Sequence, residues 1–175
     1  MSQHINTEVP EKLLRESAVL AKQWQHEYIT VTHLLFALLN DPKIVEIVKD
    51  FNVDIDILRK KVVHVLDNEM EKVVTGRVAK MQSRELILVI QDSVNQVLMS
   101  GRSTVEVHDM LLSIAKGDPS VDWAVYLLHS AGITDTELKE YITQTLNDEP
   151  EVDGFDPRSF AAGMPGASGT ANKAA

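Results

Sequence analysis

The sequence predicts an all-α fold, a pseudo-twofold double four-helix bundle, and three observations carry that expectation. Apolar residues recur at three-to-four spacing in eight short segments, each opened by a capping residue and closed by turn formers. The stretch from His26 to Leu39 reappears as Gly101 to Ala115, in a register that lays Asp109 on His33, Met110 on Leu34, Leu111 on Leu35 and Ile114 on Leu38. Farther along a slightly longer shift applies, so that Val53 meets Ile133, Leu58 meets Leu138, Val62 meets Ile142 and Leu66 meets Leu146. The second copy therefore holds a net insertion of four residues, expected between Lys116 and Asp122, and the agreement marks an internal repeat.

The first helix is expected after Thr7, with Glu8 and Pro10 in a first turn where proline's missing donor costs little. It carries Leu13, Leu14, Ala18 and Ala21 on one face and ends near Trp24. Thr30 caps a second helix, whose Leu34, Leu35, Leu38 and Leu39 form one buried face. Asn40, Asp41 and Pro42 stop it and open a third, which bears Ile44, Val45, Ile47 and Val48 and ends near Phe51. Asp54 caps a fourth, lined by Leu58, Val62 and Leu66. From Asn68 to Gln82 the periodicity fails, and Val73, Val74 and Val78 leave room for a short extended piece. Ser83 caps a fifth helix with Leu86, Val89, Ile90, Val94 and Val97 as its stripe, ended by Gly101-Arg102-Ser103. Thr104 is the expected cap of the sixth. Asp118-Pro119 opens the seventh, with Val125, Leu127 and Leu128, and Gly132 stops it. Thr134 and Glu137 have capping-box spacing at the start of the eighth, which buries Leu138, Ile142 and Leu146.

Residues 1–146 thus read as one domain, with repeat one at about 10–66, a connector at 67–82 and repeat two at about 83–146. After Leu146 the composition changes to acidic residues, glycine, proline and alanine, with Phe155 and Phe160 as its large apolar side chains. Such a segment buries too little surface to offset its ordering entropy, so 147–175 is expected to be a flexible tail or linker.

Composition narrows the function classes. The 175 residues include no cysteine, which excludes disulfides and thiolate zinc sites and fits a reducing compartment. No apolar run approaches the roughly 20 residues that cross a bilayer, and the start has no signal-peptide pattern, so a soluble cytoplasmic protein without membrane contact is expected. The net charge of −9 argues against nucleic acid as a partner. The densest basic cluster, Lys72, Arg77, Lys80 and Arg84, has no aromatic platform and reads as a solvated connector. Six histidines are scattered without a helical i, i+4 pair, which argues against a metal site. Ser17, Ser93 and Ser113 fall within helical patterns, where a hydroxyl bonded to the backbone is the usual state, and no Walker loop is present. Asp54 with Asp56 is more simply a cap than a catalytic pair. No enzyme and no cofactor is expected.

Binding is the remaining class. His26 and Glu27 read as an exposed polar pair while Tyr28 and Ile29 tuck inward, and apolar grooves are expected along the seam between the two units. The stretch His26-Glu-Tyr-Ile-Thr-Val-Thr-His-Leu-Leu-Phe-Ala-Leu-Leu39, the Asn40-Asp-Pro42 that follows, Ser100-Gly-Arg102 and the tandem repeat together resemble the amino-terminal domain of the Clp unfoldases, most closely the ClpA branch, over about residues 10–146. The resemblance implies two tandem Clp N repeats and a non-catalytic domain that docks adaptors and unfolded or tagged protein substrates for an ATP-dependent unfolding ring. That ring feeds the ClpP peptidase. It implies a ClpS-like adaptor, with an acidic contact at Glu27, flanked by His26, and a hydroxyl contact at Ser83. The sequence departs from the family at Leu88, where a basic contact is usual, and at Thr32, where an acidic residue is usual. The ATPase modules would follow the tail. The alternative is a freestanding Clp N-like regulator that binds protein partners without them; a reading frame continuing into a Walker motif would exclude it.

Overall fold

The computed structural model describes residues 4–146, and the tail expected at 147–175 lies outside the described residues. The described chain is all-α, with α1 (Glu8–Gln23), α2 (Val31–Leu38), α3 (Pro42–Asp50) and α4 (Ile55–Asn68), then α5 (Arg84–Met99), α6 (Val107–Ala115), α7 (Trp123–Ser130) and α8 (Asp135–Tyr141). The repeat holds at the helix ends. The register that lays Asp109 on His33 also lays both ends of α5, Arg84 and Met99, on those of α1, Glu8 and Gln23; the longer shift lays Asp135, the start of α8, on Ile55, the start of α4. The inserted residues fall between α6 and α7, where the sequence places them.

The caps explain most boundaries. The carboxylates of Asp41, Asp54 and Asp122 accept from amide N–H groups in the first turns of α3, α4 and α7, and the Ser83 hydroxyl accepts from the Leu86 N–H at 3.2 Å. Thr134 does the same for Glu137 at 3.3 Å. Gly132 ends α7 with φ +88°, in the left-handed region that costs glycine little. Two expected starts are displaced. Thr104 is not the cap of α6: its backbone bridges to Asn6, and Glu106 caps the helix instead. Asp118-Pro119 does not open α7, because the Asp118 carboxylate closes a local turn on Ser120 at 2.7 and 2.9 Å, and the helix waits for Asp122.

The core lies around α2 and α6. Each packs on the first helix of its own half, α1 or α5, and the two pack on each other. A single buried face was expected on α2; instead all its residues but Phe36 are buried, because a helix between two layers has no solvent side. Ser17 and Ser93, at equivalent positions of the two halves, are both 0 % exposed, and their hydroxyls donate to the Leu13 and Ile90 carbonyls at 2.7 Å. Within α5 the expected stripe is buried at Leu86 and Val97 and half-buried at Val89, Ile90 and Val94.

The halves are also joined by backbone. The extended piece of the connector is β2 (Met81–Gln82), not the Val73–Val78 region, where a 3₁₀ turn forms at Thr75–Arg77; β2 pairs in parallel with β1 (Tyr28–Ile29). Reciprocally, the lead-in to α1 meets the turn before α6, with Asn6 N–H on the Ser103 carbonyl at 2.7 Å and Val105 N–H on the Asn6 carbonyl at 3.1 Å. Each half thus holds the start of the other's first helix. The unit containing these contacts runs to Lys139; the described residues 140–146 lie outside it, and residues 142–146 make one π-helical turn.

Candidate functional site

The turn before α2 inverts the expected exposure. His26 is 3 % exposed, whereas Tyr28, expected to tuck inward, is 45 % exposed. The reason is a hydrogen-bond chain. The Thr30 N–H donates to Nδ1 of His33 at 2.9 Å, which leaves the proton of a neutral His33 on Nε2, and that nitrogen lies 2.8 Å from Nδ1 of His26. His26 then carries its own proton on Nε2, which is buried and makes no standard hydrogen bond. Burial, and next the charge of His26, push the His33 imidazole down to about 3; burial likewise lowers His26, partly offset by the Leu66 carbonyl. Both rings are neutral at physiological pH.

The second half solves the same problem with ions. At the equivalent positions, Arg102 and Asp109 replace His26 and His33. The buried Asp109 carboxylate accepts from the Glu106 N–H at 2.8 Å, the N-cap bond that His33 accepts from Thr30, and from both terminal nitrogens of Arg102.

Glu27 and Ser83 sit at the two ends of the β1–β2 pair. The Glu27 carbonyl accepts from the Lys80 N–H at 2.8 Å and the Ile29 carbonyl from the Ser83 N–H at 2.9 Å, so the short ladder fixes both residues, one at each end and on different strands. Neither side chain is unengaged. Both Glu27 carboxylate oxygens accept from Arg77 at 2.9 Å, and that pairing, first through its hydrogen bonds, raises the Arg77 pKa; Ser83 caps α5. Thr32 is 2 % exposed and faces the core, so it presents nothing to a partner, whereas Leu88 is 49 % exposed on α5.

Leu88 leads to a feature that the sequence did not locate. A cleft of about 320 Å³ runs between α5 and the α6–α7 turn, lined by Leu88, Val89, Ile114, Val121 and Val125, with Val121 70 % exposed. It lies inside the second half. Gly117 lets the turn pass close to α7, since a Cβ there would stand 2.8 Å from Val125 Cγ2. The first half has the matching cleft, about 250 Å³, which Val107 of α6 also lines, so this one reaches the seam where grooves were expected; there Lys12 stands in the place of Leu88 and the compact Asn40-Asp41-Pro42 turn in the place of the insertion. The signal was available: the insertion and the Lys12-to-Leu88 change both show when the repeats are overlaid. Ser113, expected to bond the backbone, instead donates to Asp92 at 2.7 Å beside this cleft. No group of three or more metal-ligating side chains occurs among the described residues, and none of their helices is long and apolar enough to cross a membrane.

Three comparisons bear on this arrangement. The family model described as Clp repeat (R) N-terminal domain matches residues 6–122. A curated relative, the ClpA homolog protein of Fuscovulum blasticum, is 26 % identical over 146 residues, which is 80 % of this chain and 18 % of that protein. The chain therefore spans less than a fifth of that relative's length. Among solved structures, the Hsp104 N-terminal domain from Candida albicans superposes with a TM-score of 0.69 at 15 % identity, over 85 % of this chain and 94 % of that one. The N-terminal domain of the ClpV1 ATPase from the E. coli EAEC Sci1 T6SS gives 0.57 at 17 % identity, over 74 % and 78 %.

Proposed function

Because the chain belongs to the Clp repeat (R) N-terminal domain family, we propose that it is a non-catalytic docking domain that binds adaptor or substrate polypeptides for a Clp-type ATP-dependent unfoldase or protease. The observation that carries this reading is the apolar cleft of the second half. Leu88 and Val121 stay 49 % and 70 % exposed at its mouth, and burying that remaining surface under a partner's apolar residue contributes about 1 kcal/mol or more each. A second contact surface is the β1–β2 ladder with Glu27 at one end and Ser83 at the other, to which a ClpS-like adaptor would add its polar groups, with His26 holding the turn from beneath. Leu88, in place of the family's usual basic contact, shifts the balance from an ionic adaptor contact toward apolar recognition.

Calorimetric titration of the 175-residue chain with a ClpS-type adaptor and, separately, with a permanently unfolded polypeptide tests the proposal. Saturable binding of either supports it. Heats indistinguishable from dilution for both would refute it.

A further inference from the structure

We propose that the cleft between α5 and the α6–α7 turn selects polypeptide segments whose apolar anchor is flanked by lysine or arginine. This rests on the docking reading above and adds the chemistry of the occupant. The floor of the cleft is apolar, but its rim carries the carboxylates of Glu85, Asp92, Asp118 and Asp122 against a single cation, Lys116. That cation is already committed: its ammonium donates to Asp92 at 3.2 Å and to the Gln96 carbonyl oxygen at 2.9 Å. Glu85 pairs with no cation among the described residues. Asp122, half-buried as the cap of α7, has its carboxyl pushed upward chiefly by burial, opposed by the Ala124 N–H bond and then aided by the charge of Glu85, which lines the same cleft. A cation entering between them relieves that repulsion while the low-dielectric floor strengthens its attraction.

The other half supplies the contrast. Around its cleft the carboxylates of Glu16 and Asp41 face one cation, Lys12, which pairs with Glu16 at 3.9 Å, so the counterpart rim is less acidic, and Lys12 stands at the position that Leu88 leaves apolar. Duplication thus predicts two equivalent sites, whereas charge and hydrophobicity leave one. The expected stoichiometry is one segment per chain.

Fluorescence anisotropy of the 175-residue chain with three labelled peptides tests this. All three carry the same leucine-phenylalanine anchor, flanked by lysine, by glutamine or by glutamate. The lysine peptide is expected to bind about tenfold tighter than the glutamate peptide in low salt, with the gap closing as salt screens the rim. Glu85→Lys, at an exposed site, is expected to remove most of that preference while the glutamine peptide binds as before. Equal affinity for the three peptides would overturn the charge selectivity and leave polypeptide docking standing. A preference that survives Glu85→Lys unchanged would place the selectivity elsewhere and overturn it too. No binding by any peptide would refute the docking reading itself.

Discussion

His26 and His33 meet through Nδ1 and Nε2 at 2.8 Å inside the first half, at the positions that an arginine–aspartate pair fills in the second. Both arrangements cap the central helix of their half and pin the turn before it. They differ in chemistry: burial keeps the imidazole pair neutral, whereas the other is an arginine–carboxylate ion pair.

The pair makes stability depend on pH. In the unfolded chain a histidine protonates near 6.5, while in the fold His33 does so only at about 3 and His26 and His108 are also lowered, chiefly by burial. Between those values the unfolded state binds more protons, so stability is full above about pH 6.5 and falls as the solution is acidified. The loss is about 1.4 kcal/mol per pH unit for each histidine kept neutral. Urea unfolding at pH 7 and pH 5 is expected to show a clear loss. An unchanged midpoint would contradict the buried neutral pair.

Transplanting the ionic solution tests the same relationship from the other side. A chain carrying His26→Arg together with His33→Asp places the second half's pair in the first, and its unfolding midpoint is expected to change less between pH 7 and pH 5 than that of the parent chain. Comparison of the two pH profiles by circular dichroism decides the matter.

Arg102→Ala leaves the Asp109 carboxylate, 2 % exposed, without its cation. The expected cost is about 3 kcal/mol, from stranding a buried charge. Asp109→Asn with Arg102 retained is expected to cost less, since the amide oxygen still caps α6 and Arg102 keeps partial solvation. Chemical denaturation of both variants gives the order.

At the β1–β2 edge, Glu27→Lys replaces the acceptor of two Arg77 bonds with a like charge. If adaptors dock there, affinity for a ClpS-like adaptor falls sharply while the helical spectrum is kept. Equal affinity of variant and parent would remove Glu27 from the contact.

Most of the fold was legible because the repeat wrote it twice. The two registers of the overlay located all eight helices, since apolar periodicity and caps agreed in both copies. The misplaced cap at Thr104 is instructive: the register that lays Asp109 on His33 lays Glu106 on Thr30, so the overlay pointed to Glu106, but a nearby threonine looked the better cap in isolation. Asp118 misled for a related reason, as a side chain suited to capping closed a turn instead. The turn at His26 was unreadable locally. Its burial depends on His33, seven residues farther along the chain, and on the connector bridging to it at Lys72, neither of which polarity reveals. The cleft depends on how α5 faces the inserted turn, a tertiary fact that only the overlay of the halves hinted at.

The central claim is that polypeptides dock in the cleft of the second half. Amide chemical-shift mapping of the isotope-labelled 175-residue chain with an unfolded polypeptide tests it most directly, beside a Leu88→Lys variant that puts the first half's residue at the mouth. The account predicts saturable shifts centred on Leu88, Val121 and Val125, absent in the variant, whose melting temperature stays that of the parent because Leu88 is 49 % exposed. Shifts confined to the cleft around Lys12, or undiminished in Leu88→Lys, would contradict it.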